Sequence, residues 1–238
     1  MPDLTTHELQ VENNALMREL IAYFQGERAA LQDARADLPG LITKRIYVDV
    51  AKLTNGVGTL ADPMNDLDDA IESLAEGQHG TIYVLRNATI NRRHFVRNSN
   101  IAFFGWDAVA GAATLRTISL ADEAETDAAN VAGITGRGMI GLHFWSIRLT
   151  LSTRTLAGGE TMTHLNGSGI VNMTLNSVAA VGTGGDVALM AANQAAWIIT
   201  VIGLTTNEMD GRWFHGIASG TPLTLENTRA LNADLLPN

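Results

Sequence analysis

The residues of this chain best suited to cleaving a glycosidic bond are the carboxylates Asp122, Glu123, Glu125, Asp127, Asp186, Glu208 and Asp210. That reaction needs two carboxyl groups about 5 to 10 Å apart on either side of the scissile bond. The first four crowd into one acidic stretch, residues 122–127, which reads as an exposed loop. Asp186, Glu208 and Asp210 remain as the candidate catalytic set, and nothing in their spacing pairs them. There is no cysteine and no G-x-S-x-G elbow, so an activated thiol or serine nucleophile is not indicated. Gly136-Arg-Gly-Met-Ile-Gly141 fits the dinucleotide pattern G-x-G-x-x-G. That pattern requires a following helix whose N-terminus faces the pyrophosphate. The following residues, 142–151, alternate as a strand, so the glycines read as a turn between strands and no cofactor is expected. His7, His79, His94, His143, His164 and His215 fall at no metal-ligand spacing, and no metal site is expected. Asp66, Asp68, Asp69 and Glu72 read as the solvated face of a short helix. Trp213, Phe214 and His215 follow Met209-Asp-Gly-Arg212 and form the candidate surface-binding patch, against the usual fate of tryptophan, which is packing.

These residues are carried by two kinds of element. Residues 5–38 read as one helix, opened by a Thr5/Glu8 capping box and stopped by Pro39-Gly40. Met17, Phe24, Leu31 and Leu38 repeat with heptad spacing, and Leu20, Glu27 and Ala34 mark the second position of the same seam. A stripe that narrow predicts a coiled coil, with Glu27 as a polar specificity position inside it. A strand is expected over 45–49, then a loop, then a helix over 62–76 with Asp62 as N-cap and Met64, Leu67, Ile71 and Leu74 buried. From residue 81 onward the period becomes that of strands. Runs are expected at 81–85, 101–104, 139–151, 170–181 and 197–205. The starts of the last three, at Met139, Ile170 and Trp197, are spaced like the rungs of a solenoid. Residues 231–238 read as a terminal strap.

Length and charge limit the roles. With 238 residues the chain can bury a core, and without cysteine that core is held by packing and backbone pairing. A net charge of −9 argues against nucleic-acid binding. No apolar run suits membrane insertion, and residues 1–10 lack the basic and apolar regions of a secretion signal.

Arg45-Ile-Tyr-Val-Asp49, the Asn-Gly loop after it, Asp66-Leu-Asp-Asp-Ala-Ile-Glu72 and Gly80-Thr-Ile-Tyr-Val84 together resemble the opening of pectate-lyase-like β-helix proteins. A helical stalk before such a module resembles tail fibres and tailspikes of tailed bacteriophages. The resemblance implies a mainly β chain: a right-handed parallel β-helix (solenoid) preceded by an N-terminal coiled-coil helix. The expected divisions are a stalk at 1–40 for trimerisation and attachment, a lead-in module with its capping helix at 41–80, and a β-helix body at 81–238. The implied role is that of a virion structural protein, assembled in the host cytoplasm and not an enzyme. Its partners would be two further copies of itself, other virion proteins through residues 1–40, and a host-surface glycan or protein. A polysaccharide-degrading tailspike and a non-viral carbohydrate-binding β-helix remain alternatives.

Overall fold

The computed structural model describes residues 43–74, 77–121, 131–155, 162–182, 184–192 and 194–237. The chain divides into two compact units, Met1–Ile42 and Thr43–Asn238. The seam residues Met17, Leu20, Phe24, Glu27, Leu31, Ala34 and Leu38 lie outside the described residues, as does the acidic stretch 122–127.

In the second unit, alternation of apolar and polar residues produces strands that stack in parallel. One ladder runs through β1 (Thr43–Val48), β2 (His79–Val84), β5 (Asn100–Asp107), the second half of β8 (Gly133–Trp145), the second half of β10 (Thr163–Asn176), β13 (Ala196–Val201) and β15 (Ala230–Leu231). Its inward positions are Ile46, Ile82, Phe103, Phe144 and Leu175, all nearly inaccessible to water. A second ladder orders β3 (Ala88–Ile90), β7 (Arg116–Leu120), β9 (Ile147–Thr150), β11 (Val178–Val181) and β14 (Leu204–Glu208). A third joins β4 (Arg93–Arg97) to the first halves of β8 and β10, and the latter to β12 (Ala188–Met190). Successive circuits of the chain therefore lay strand on strand around one apolar interior, a β-helix-like arrangement of parallel sheets. β6 (Ala112–Ala113) departs from it, folding back antiparallel on Trp106 and Asp107.

The expected spacing holds at one step, where Met139 pairs with Ile170. At the next step Ile170 pairs with Ala196 and not with Trp197, so that circuit is one position shorter than expected. The long runs expected at 139–151 and 170–181 are each broken at a single left-handed residue, Ser146 (φ 52°) and Ser177 (φ 53°), where the chain turns from the first ladder to the second. The opposite corner is made by Asn98, Gly138 and Gly169. The glycines of the G-x-G-x-x-G run thus bend a continuous strand inside a circuit. They do not separate one circuit from the next.

The capping helix is shorter than expected. α1 spans Leu67–Glu72, and its N-cap is Asp66, whose carboxylate accepts from the Asp68 N–H at 2.8 Å. Asp62 caps no helix, because its carboxylate accepts from the Val57 N–H and from Lys52. Met64 is held extended, donating to the Tyr47 carbonyl at 2.9 Å and accepting from Asp49 at 2.8 Å. Backbone pairing to β1 overrides the helix-start signal of Asp62-Pro63. A second short helix, α2 (Leu225–Thr228), precedes β15.

Candidate functional site

On the first ladder every inward residue is followed by one that points outward. At one outward register the sequence supplies an aromatic ring on successive strands: Tyr47, Tyr83, Phe104 and Trp145. Strand stacking brings the rings into contact. Tyr47 and Tyr83 stack at 4.7 Å between centroids, Tyr83 and Phe104 lie 5.6 Å apart, and Phe104 meets Trp145 edge-on at 5.7 Å. Trp106 joins from the side, 5.8 Å from Tyr83 and 5.7 Å from Phe104. All five rings are half-buried, each keeping part of its surface in water.

Trp106 is positioned by the small hairpin. Arg116 donates to its carbonyl from Nε (3.3 Å) and Nη2 (3.2 Å), and the Asp107 carboxylate accepts from the Val109 and Ala110 amides to close the turn. Beside Trp145 a depression of ≈ 360 Å³ is lined by His79, Thr81, Asn100 and His143. Burial pushes the His143 imidazole below its ordinary pKa, so it is neutral at pH 7. The Trp145 indole Nε1 is a shielded donor that finds no hydrogen-bond partner among the described residues. The surface as a whole offers flat apolar faces beside amide and imidazole groups. Such a surface can stack on the C–H face of a sugar ring and hydrogen-bond its hydroxyls.

The expected surface patch needs correction. Trp213 and Phe214 are 0% and 1% exposed. The Trp213 N–H donates to the Asn207 side chain at 3.0 Å and to the Pro237 carbonyl at 2.9 Å, tying down the terminal strap. Phe214 packs edge-on against the equally buried Trp197. Only His215 remains half-buried, so residues 213–215 form core and no binding patch.

Asp186, Glu208 and Asp210 are exposed and do not line this depression. Asp186 and Asp210 act on Arg212, a buried cation whose Nε donates to the Val187 carbonyl at 2.8 Å and whose Nη2 donates to the Ser152 carbonyl at 2.6 Å. Burial lowers the Arg212 pKa, and the two carboxylates oppose that shift.

The acidic face of α1 is also unlike the expectation. Asp69 and Glu72 do pair with Arg92 near the surface, at 3.0 and 3.2 Å. Asp68, however, is 1% exposed. It accepts from His94 Nε2 at 2.7 Å, from the Asn91 N–H at 3.0 Å and from the Asn91 side chain at 3.1 Å. His94 is buried as well, so the pair is a pin between helix and ladder and touches no open cavity. Among the described residues no group of three or more His, Cys, Asp or Glu side chains could hold a metal.

The aromatic row is not evident in the sequence, where Trp106 and Trp145 stand as separate tryptophans. A signal was present: Tyr47, Tyr83, Phe104 and Trp145 each follow an inward apolar residue of an alternating strand. Only the register between strands converts that signal into one surface. No family model, curated protein or solved structure matches the chain.

Proposed function

We propose that this chain is a structural subunit of a tailed-bacteriophage fibre or spike, trimeric and attached through residues 1–40, whose body is a right-handed β-helix that binds host-surface glycan. The binding half of the reading rests on one observation: the unbroken row of half-buried rings Tyr47, Tyr83, Phe104, Trp106 and Trp145 on the outer face of the first ladder. Structural cores hide their aromatics, whereas here five rings touch one another on the outside, beside polar groups able to recognise hydroxyls.

A panel of bacterial surface oligosaccharides tests it, with the purified full chain as receptor. At least one glycan is expected to bind, with affinity lowered about tenfold or more, roughly 1.4 kcal/mol, by Trp145→Ala or Tyr83→Ala. Unchanged far-UV circular dichroism would show that the variants fold. Binding that survives both substitutions would sink the assignment to this face. No bond cleavage is expected. Release of reducing ends that disappears in Asp186→Asn or Glu208→Gln would instead make the protein a depolymerase.

A further inference from the structure

We propose that a second depression, on the third ladder, is a subsite for a carboxylate-bearing sugar of the uronic or sialic acid class. It shares with the preceding reading only the class of ligand; its residues and its test are separate.

The depression has a volume of ≈ 410 Å³ and lies between two outward rows of side chains. Strand register fixes both rows. Phe95 pairs with Thr135 and Thr135 with Asn166, forming one wall. Arg97 pairs with Arg137 and Arg137 with Ser168, forming the other. Between them the inward positions are Val96, Gly136 and Gly167, so the floor is backbone. Glycine suits these positions because the corner packs other atoms close beneath them. A Cβ on Gly136 would meet Ile140 Cγ1 at 2.6 Å, and one on Gly167 would meet the Gly136 carbonyl at 3.1 Å. The glycine run that resembles a dinucleotide motif is therefore the floor and corner of this groove.

Each wall has its own chemistry. Phe95 is 81% exposed, and a ring left so open offers an apolar plane to a partner. Arg137 is exposed on the facing wall, with Arg97 one strand away, about 4.8 Å along the stack. A guanidinium fork matches a carboxylate with two parallel hydrogen bonds. The chain carries a net charge of −9 and would repel a polyanion at long range, so an anionic sugar needs a local cationic group of this kind. Asn166, Ser168 and Gln194 complete the groove with amide and hydroxyl groups suited to ring hydroxyls. An exposed aromatic ring on one wall and guanidinium groups on the other fit an acidic sugar ring, apolar on one face and charged at one edge.

The test uses the full chain with trigalacturonate and 3′-sialyllactose as acidic probes and maltotriose as the neutral comparator, followed by calorimetry at low salt. At least one acidic probe is expected to bind more tightly than maltotriose and to weaken as salt rises. Arg137→Gln and Phe95→Ala are each expected to lower that affinity at least about tenfold, and Arg137→Lys less, since the charge is kept and the fork lost. Leu53→Ala, at an exposed loop residue outside both sites, is expected to leave it unchanged, and an affinity that falls with Trp145→Ala but not with Arg137→Gln would place the acidic sugar on the aromatic row and overturn the proposal. The proposal is overturned if neither acidic probe binds, if maltotriose binds equally well, or if Arg137→Gln has no effect. It is also overturned if Phe95→Ala changes the oligomer mass, because the face would then be a contact between copies of the chain.

Discussion

Asp68 gathers four donors, from His94, the Asn91 amide and side chain and the Arg92 amide, into a site closed to water, and this makes the body sensitive to acid. Burial alone would raise its pKa, but the bonds from His94 and Asn91 outweigh burial and hold it below the ordinary 3.8. A carboxyl group with a depressed folded pKa stabilises the fold above its unfolded value, and that contribution is lost as pH falls through the folded pKa. His143 has the same sign for a different reason: burial lowers it from 6.5, so the fold resists its protonation. Urea midpoints measured from pH 8 to pH 3 are therefore expected to fall in two stages, one beginning near 6.5 and one below 3.8. His143→Gln should shrink the first stage. Asp68→Asn should flatten the second and cost about 2 kcal/mol at pH 7, the scale of a lost buried hydrogen bond to a charged group. Little of this was legible beforehand. Leu67 and Ile71 define the apolar face of α1, and a carboxylate beside them reads as solvent-facing until the segment 91–94, distant along the chain, is known to close over it.

At the scale of the element, the strands were easier to read than their corners. Strands expected over 81–85, 101–104 and 170–181 are found at His79–Val84, Asn100–Asp107, the second half of Thr163–Asn176 and Val178–Val181, with Ile82, Phe103 and Leu175 inward. Corners at Ser146, Ser177 and Asn98 were not legible, because they use residues that also sit within strands, and left-handed backbone at such residues leaves no compositional mark. Asp62-Pro63 misled in the other direction, being a sound helix start that lost to pairing with β1. Where glycine does make the corner it is hard to replace. Gly169 has φ 124°, and a Cβ there would lie 2.3 Å from the Gly138 carbonyl. Gly169→Ala is expected to lower stability by about 2 kcal/mol or more, through backbone strain and collision together. Chemical denaturation checks this. Gly184→Ala, with φ 82° but nothing within 4 Å of its Cβ, should cost less and isolates the strain contribution.

For the whole molecule, the division at Ile42/Thr43 sets the experiment. Residues 43–238 contain a continuous apolar interior from Ile46 to Leu236. Deleting residues 1–42 is expected to leave a β-rich, cooperatively unfolding body and to abolish trimerisation and attachment. Mass photometry of both forms at micromolar concentration decides it. A full-length monomer would refute the trimer, and a truncated chain that does not fold would assign the N-terminal unit to the core. The heptad spacing of Met17, Phe24, Leu31 and Leu38 carries a narrower expectation: in a peptide of residues 1–44, Glu27→Leu should raise the melting temperature while loosening the oligomer state. An unchanged melt with an unchanged mass would place Glu27 on the outside.

The unequal burial of the four tryptophans has an optical consequence. Trp106 and Trp145 sit on strands in the earlier part of the stack, partly in water and among other rings, whereas Trp197 and Trp213 are sealed near its end. Iodide should therefore quench one population and spare the other, leaving a blue-shifted residual emission. Tyr83, 5.8 Å from Trp106, and Tyr47, stacked on Tyr83, should pass their excitation to that indole. The aromatic row should also give strong near-ultraviolet dichroism, while the buried pair reports in emission. A chain that frays from one end of the stack would lose one signal before the other, and the order of loss would identify the end.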